Sequence, residues 1–156
     1  MILNERQLVS SRINKCMKNE ALGDLQGLLY TAEKWVKVHV AEFLLWENYY
    51  SNEVRNVFLA EEKRFGDTAQ YRIGIWRVLA QAASHPDERK KWANKIVAAY
   101  GDNHGADRLH AIESLAKLRH PVIDSTWLRQ ADGQPIDACF LYHLWNLAYH
   151  TDIKKK

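Results

Sequence analysis

A repeat of 35 residues organises this chain. Aromatic side chains stand at Tyr30, Phe65 and Tyr100, in two steps of 35, and a Gly-Asp pair follows the last two, at 66–67 and 101–102. A fixed period of about 20–50 residues is typical of proteins that stack one supersecondary unit on the next. This period therefore favours a repeat array over a fold with one irregular core.

Each repeat also contains a similar apolar stretch that opens on a basic residue. The three stretches are 37–44, 72–79 and 108–115. Downstream of them, Val57, Trp92 and Trp127 keep the step of 35. Because apolar residues recur at helical spacing within each unit, we predict that a unit is a pair of helices joined by a tight turn.

The composition agrees with long helices. The 156 residues include 7 Gly and 3 Pro, and 47% of them are hydrophobic. That apolar fraction excludes a disordered chain, and the scarcity of Gly and Pro favours helices over a many-stranded sheet. The predicted helices are 3–17, 20–32, 34–48, 52–65, 69–83, 87–100, 106–118, 121–130 and 136–149.

The first helices of three repeats share a pattern of a basic residue, two small or apolar residues and a leucine. Its members are Arg108, Ala111, Ile112 and Leu115, then Lys37, Val40, Ala41 and Leu44, with the bulkier Ile75 and Trp76 in the second repeat. The pattern resembles the HEAT-like repeat, especially the short variety of phycobilin lyases. The resemblance implies an all-α fold, a right-handed α-α superhelix (HEAT-like solenoid) of about four helix pairs with a capping helix. In such folds the second helices line a concave face that binds a partner.

On this resemblance we expect one domain over residues 1–156, closed by a cap at each end. Its predicted parts are an N-terminal cap helix 1–18, repeats at about 20–33, 34–67, 69–102 and 106–132, a C-terminal cap helix 136–150 and a basic tail 151–156. Helix 136–149 would begin a further unit that lacks its second helix.

The net charge gives little support for a charged partner. The formal charge is +3, and the three lysines at 154–156 supply all of it. A neutral body argues against a nucleic-acid surface. The sequence has no run of 18 apolar residues, and charge follows the N-terminus too early for a signal peptide, so we expect a cytoplasmic protein without a membrane span.

The two cysteines, Cys16 and Cys139, have no CxxC spacing, which excludes a zinc knuckle and a thioredoxin-type motif. We expect two buried small apolar side chains, with a single disulfide as the alternative.

A His-x-x-Glu pair occurs twice on equivalent first helices, as His39/Glu42 and His110/Glu113. Residues three apart share a helical face and could supply two ligands to a metal ion. The HEAT-like di-iron enzyme deoxyhypusine hydroxylase uses adjacent His-Glu pairs, which this sequence lacks. Two repeats separate the pairs, roughly 20 Å at the usual spacing of packed helices, so one ion cannot bridge them. We therefore expect no metal and no other cofactor.

The spacing of Glu42, Arg77 and Glu113 offers a structural role instead. They lie 35 and 36 residues apart, so stacked repeats would place Arg77 between the two carboxylates. A guanidinium can serve two carboxylates at once. We predict an acid-base-acid ladder across the repeats.

Three kinds of function remain open. The first is a non-catalytic scaffold that binds a protein or peptide through its second helices. The residues predicted to line that surface are Arg55, Leu59, Glu62, Lys91, Trp92, Lys95 and Trp127. The second is an accessory module for a small molecule or carbohydrate, which would stack on Trp46, Trp92 and Trp127. The third is a HEAT-like enzyme of the metal-dependent, lyase or DNA base-excision type. A metal-dependent enzyme would use His39/Glu42 or His110/Glu113, and no catalytic residue is predicted.

Overall fold

The computed structural model describes residues 2–124 and 126–150, without the side chains of 2–13, 128 and 150. The regular secondary structure of the described residues is entirely helical, with no strand among them. The eight helices are α1 (Ile2–Thr31), α2 (Lys34–Trp46), α3 (Ser51–Phe65), α4 (Tyr71–Gln81), α5 (Pro86–Gly101), α6 (Arg108–Lys117), α7 (Thr126–Gln130) and α8 (Ala138–His150). This confirms the predicted all-α fold.

The first helices of the repeats, α2, α4, α6 and α8, form one row in which each packs directly on the next. The helices between them lie on one side, so that α3 packs on α2 and α4, and α5 packs on α4 and α6. Across the described residues α3 and α5 make no backbone contact with each other. The row of first helices is therefore the more closely packed side of the stack.

The core is centred on α4. Its residues 71 and 73–80 are all buried, because four helices pack on it, namely α2, α3, α5 and α6. The sequence meets this demand with apolar residues on every helical face, including Ile73, Ile75, Val78 and Leu79, all fully buried. The one charged residue in that stretch, Arg77, belongs to the polar network described below.

The N-terminal cap and the first half-repeat form one helix instead of two. The predicted break between 3–17 and 20–32 is wrong, since α1 runs unbroken over 30 residues. Residues 18–21 contain no Gly or Pro, and a helix continues through such residues. Side chains 14–21 of α1 are exposed, and Cys16 is among them. Both Cys16 and the half-buried Cys139 are free thiols, so the expected burial is wrong for Cys16.

The second helix of the last repeat is shorter than predicted. Instead of 121–130, only Thr126–Gln130 is helical. Pro121 disfavours helical backbone at His120. The amides of Val122 and Ile123 donate to Asn146 Oδ1 on α8, at 2.8 and 3.1 Å, which holds this segment extended along α8.

No helix within the described ranges has both the length and the apolarity that crossing a membrane requires. The residues of the basic tail, 151–156, and Met1 lie outside the described part of the chain.

Candidate functional site

The structure places Glu42, Arg77 and Glu113 in contact across α2, α4 and α6. Arg77 Nε lies 2.7 Å from Glu42 Oε1, and Arg77 Nη1 lies 3.8 Å from Glu113 Oε1. Ser114 Oγ accepts a third bond from the guanidinium, at 3.0 Å. Arg77 and Glu42 are 0% and 2% exposed. The pair is thus buried, whereas Arg77 and Glu113 form a longer ion pair, beyond hydrogen-bond distance, at the edge of the network.

Three further side chains extend this ladder to the surface. His39 Nδ1 lies 3.3 Å from Glu42, and His110 Nδ1 lies 3.7 Å from Glu113. Lys117 Nζ lies 2.8 Å from Glu113 Oε1. Burial raises the pKa of Glu113, but Lys117, Arg77 and His110 together outweigh it, so this pKa lies below its usual value.

The arrangement gives both His-x-x-Glu pairs a role without a metal ion. Arg77 stands between the two carboxylates and binds Glu42 with two of its nitrogens. A cation at that point competes with a metal ion for the same oxygens. Among the described residues, no group of three or more metal-ligating side chains is present. Two carboxylates, one guanidinium and one ammonium also balance in charge, as a buried ionic network requires.

Sequence reasoning missed the contact between Trp35 and His110. Their rings are 5.0 Å apart, so the Trp35 indole reaches from α2 across α4 to α6. Gly74 of α4 makes this possible, because a Cβ there would lie 2.9 Å from Trp35 Cζ3 and 3.0 Å from Val38 Cγ2. The signal was present in the sequence, since glycine occupies the position where the other repeats have His39 and His110.

Replacing Gly74 with alanine tests this packing. Gly27→Ala, the same change in α1 with nothing within 4 Å of the new Cβ, is expected to raise the free energy of unfolding by about 1 kcal/mol through helix propensity. We expect the free energy of unfolding of Gly74→Ala to be about 1–3 kcal/mol lower than that of Gly27→Ala, because Trp35 must move. Urea denaturation measures the stability, and the NMR shifts of the His110 ring protons report the loss of the indole. Equal stabilities and unchanged His110 shifts would contradict the packing.

The second helices carry ion pairs between repeats. Arg55 of α3 binds Glu88 of α5, with Nη2 2.7 Å and Nε 2.9 Å from Oε1. Lys95 of α5 lies 2.7 Å from Glu62 of α3. Three of the predicted binding residues, Arg55, Glu62 and Lys95, are thus engaged with other parts of the chain, and they link α3 to α5.

Two of the three tryptophans predicted to line a groove, Trp92 and Trp127, are largely covered. Trp92 is 3% exposed and lies beneath the ammonium groups of Lys91 and Lys95, at 4.7 and 4.9 Å from its ring centre. Leu59 is half-buried against the core. Trp127 is half-buried and stacks on His143, with ring centres 5.1 Å apart. Trp92 and Trp127 therefore offer little surface on which a carbohydrate or small molecule could stack, whereas Trp46, the third residue of that prediction, is 62% exposed.

His143 is held as part of the packing around Trp127. Its Nε2 lies 2.9 Å from the Tyr100 hydroxyl, and its Nδ1 lies 2.6 Å from the carbonyl oxygen of Cys139. Burial lowers the pKa of His143 below its usual value. The neutral ring can accept from Tyr100 and donate to Cys139, so both of its nitrogens are occupied.

Exposed apolar side chains gather between α1 and α2. We call this surface the α1/α2 groove, and its lining residues are Lys18, Ala21, Leu22, Leu25, Phe43, Trp46 and Glu47. The groove contains a cavity of about 270 Å³. Phe43 and Trp46 are 50% and 62% exposed and stand edge to face, with ring centres 5.1 Å apart.

A second apolar surface lies at the other end of the first-helix row. The outward residues of α8, which we call the α8 face, are Ala138, Leu141, Leu144, Trp145, Ala148 and Tyr149. They recur at helical spacing and form one stripe. From Ala138 to His150 the sequence has no Asp, Glu, Lys or Arg.

The geometry defines the protein as an all-α chain of stacked helix pairs, held by polar networks between repeats and apolar at both ends of its first-helix row. A comparison with protein-family models finds no match, and comparisons with curated proteins and with solved structures also find none.

Proposed function

We propose that this chain is a non-catalytic binding module that recognises a protein or peptide partner. The observation that carries the proposal is the α1/α2 groove, where Phe43 and Trp46 are at least half exposed around an apolar cavity. Large aromatic side chains in a pocket dominate the affinity of protein interfaces. The binding surface is therefore at one end of the stack and not on the second helices.

The shape of the groove favours an amphipathic helix as its occupant. It is formed between two packed helices, and its lining is apolar apart from Lys18 and Glu47, which form an ion pair with each other. A helix can lay apolar residues at positions i, i+3, i+4 and i+7 into such a groove. An occupant with charged residues there would lose hydration without gaining a partner.

We also propose that the helices form a HEAT-like, right-handed superhelix. The repeat of 35 residues and the contact of each first helix with the next support it. Because the first helices are more closely packed than α3 and α5, the first-helix side would be the concave one. This differs from the arrangement implied by the HEAT-like resemblance, in which the second helices line the concave face.

Selection from a library of helical peptides tests the function. We expect the purified chain to select peptides with apolar residues at helical spacing, because these fill the α1/α2 groove. Phe43→Glu should weaken the selected peptides at least tenfold, measured by fluorescence anisotropy, since it places a charge in the apolar contact. Leu109→Glu is the matched control, because Leu109 is 41% exposed on α6, outside the groove.

Either of two results would contradict the proposed function. One is that no peptide is selected above background. The other is that the selected peptides bind the Phe43→Glu variant as tightly as the unmodified chain, which would place binding elsewhere.

A further inference from the structure

The two ends of the first-helix row carry complementary halves of one repeat. Two packed pairs run in chain order, α2 with α3 and α4 with α5, and the short helix α7 follows α6. Helix α1 packs on α2 as α3 packs on α4, and it also contacts α3. Among the described residues no first helix lies on the other side of α1. Helix α8 packs on α6 as a first helix does, and the described residues include no second helix that packs on α8.

The free faces of these two half-repeats match in chemistry. In the interior of the stack, α4 packs on α2 and on α5, its own second helix, so a first helix preceding α2 would lie against α1 and α2. The α1/α2 groove is that position, and it is apolar and open. The α8 face is likewise apolar, and its large side chains Leu141, Leu144, Trp145 and Tyr149 are exposed among the described residues.

We propose that the α8 face of one copy of this chain packs into the α1/α2 groove of a second copy, so that α8 and α1 of the neighbour complete a helix pair. The contact continues the packing that already joins α2, α4, α6 and α8 within one chain. It rests on the proposed function, because it assigns an occupant to the same groove.

Charge supports this occupant. The charged residues that line the groove, Lys18 and Glu47, form an ion pair with each other, so an occupant does not need to supply an opposite charge. A helix without Asp, Glu, Lys or Arg over all its 13 residues meets that condition. Trp145 and Tyr149, joined by a hydrogen bond of 2.8 Å, add large aromatic area to the α8 face.

The geometry predicts head-to-tail association. One surface binds a different surface of the next copy, and such a contact leaves a free groove and a free α8 face at the ends of each assembly. The mass of the chain in solution is therefore expected to rise with concentration through dimers to longer chains. Sedimentation equilibrium from about 1 to about 200 µM covers the range of weak single-helix interfaces.

Two variants and their mixture test the pairing. Trp46→Glu blocks the groove, and Leu141→Glu blocks the α8 face, and both side chains are more than half exposed, so the fold should persist. Each variant alone should stay at the chain mass of 18.2 kDa. An equimolar mixture should form a dimer and nothing larger, because one intact groove and one intact α8 face remain. Leu109→Glu should associate as the unmodified chain does, and circular dichroism checks the helicity of every variant.

Three outcomes overturn the inference. The first is that the unmodified chain stays monomeric to about 200 µM. The second is that the mixture stays monomeric although the unmodified chain associates. The third is that Leu109→Glu abolishes association as the other variants do. The proposed function is judged separately, since a monomeric chain that still selects peptides through Phe43 retains the function and loses only this occupant. A groove that binds neither peptides nor a second copy overturns both.

Discussion

Replacing Arg77 with methionine is expected to lower the free energy of unfolding by about 3–5 kcal/mol. The variant leaves Glu42, which is 2% exposed, without the guanidinium that binds both of its oxygens. It also removes the donor to Ser114 Oγ. Removing one partner of a buried ion pair costs far more than losing a surface ion pair, because Glu42 then keeps the His39 ring, at 3.3 Å, but no guanidinium.

Urea denaturation followed by circular dichroism measures this loss, and a fall of about 10 °C or more in Tm should accompany it. The matched control is Arg55→Met, the same substitution in another ion pair between repeats. The Arg55 side chain is 32% exposed, so that variant should lose only about 0–1 kcal/mol.

A double variant separates the charge from the packing. Adding Glu42→Gln to Arg77→Met removes the unpaired charge, so the double variant should recover a large part of the stability. An Arg77→Met variant as stable as the unmodified chain, or a double variant no more stable than Arg77→Met, would contradict a buried ion pair that holds the repeats together.

The ladder could be predicted from spacing because stacking a repeat brings equivalent positions together. Steps of 35 and 36 residues place Glu42, Arg77 and Glu113 on neighbouring first helices. The same spacing could not show that Ser114 takes part, or that the contact to Glu42 is much closer than the contact to Glu113. Those details depend on side-chain rotamers and on the exact rotation of α6 against α4.

Exposure cannot be deduced from a helical repeat alone, so the predicted partner surface includes side chains that are paired or buried within the chain. Arg55 and Glu88, and likewise Glu62 and Lys95, are 33 residues apart and opposite in charge. That regularity was a signal for ion pairs between α3 and α5, and the prediction of a partner surface overlooked it. Phe43 in the α1/α2 groove gave no sign of exposure, because an apolar residue on a first helix is usually buried.

The predicted helix boundaries were wrong where tertiary contacts determine them. Nothing in the sequence of 18–21 ends α1, and the predicted break there rested on the repeat pattern alone. In the last repeat, Pro121 limits the helix only locally. The extended course of 120–124 depends on Asn146, which lies 23 or more residues away in the chain.

Replacing Asn146 with leucine is therefore expected to lower the free energy of unfolding by about 2–4 kcal/mol. Asn146 is 0% exposed, and its Oδ1 accepts from the amides of Val122 and Ile123 while its Nδ2 donates to the carbonyl of His120 at 2.9 Å. Leucine of similar volume supplies none of these bonds and leaves backbone groups unpaired in a buried position.

The Asn146→Leu substitution should loosen segment 120–124 before it affects the rest of the fold. Because Asn146 ties segment 120–124 to α8, the amides of Val122 and Ile123 should exchange with solvent faster in Asn146→Leu, measured by hydrogen exchange with NMR. Asn56→Leu is the matched control, since Asn56 is exposed in the middle of α3, and it should change stability by no more than about 0.5 kcal/mol. Unchanged exchange at both amides, or equal stability of the two variants, would mean that packing of α8 on α6 alone holds the last repeat in place.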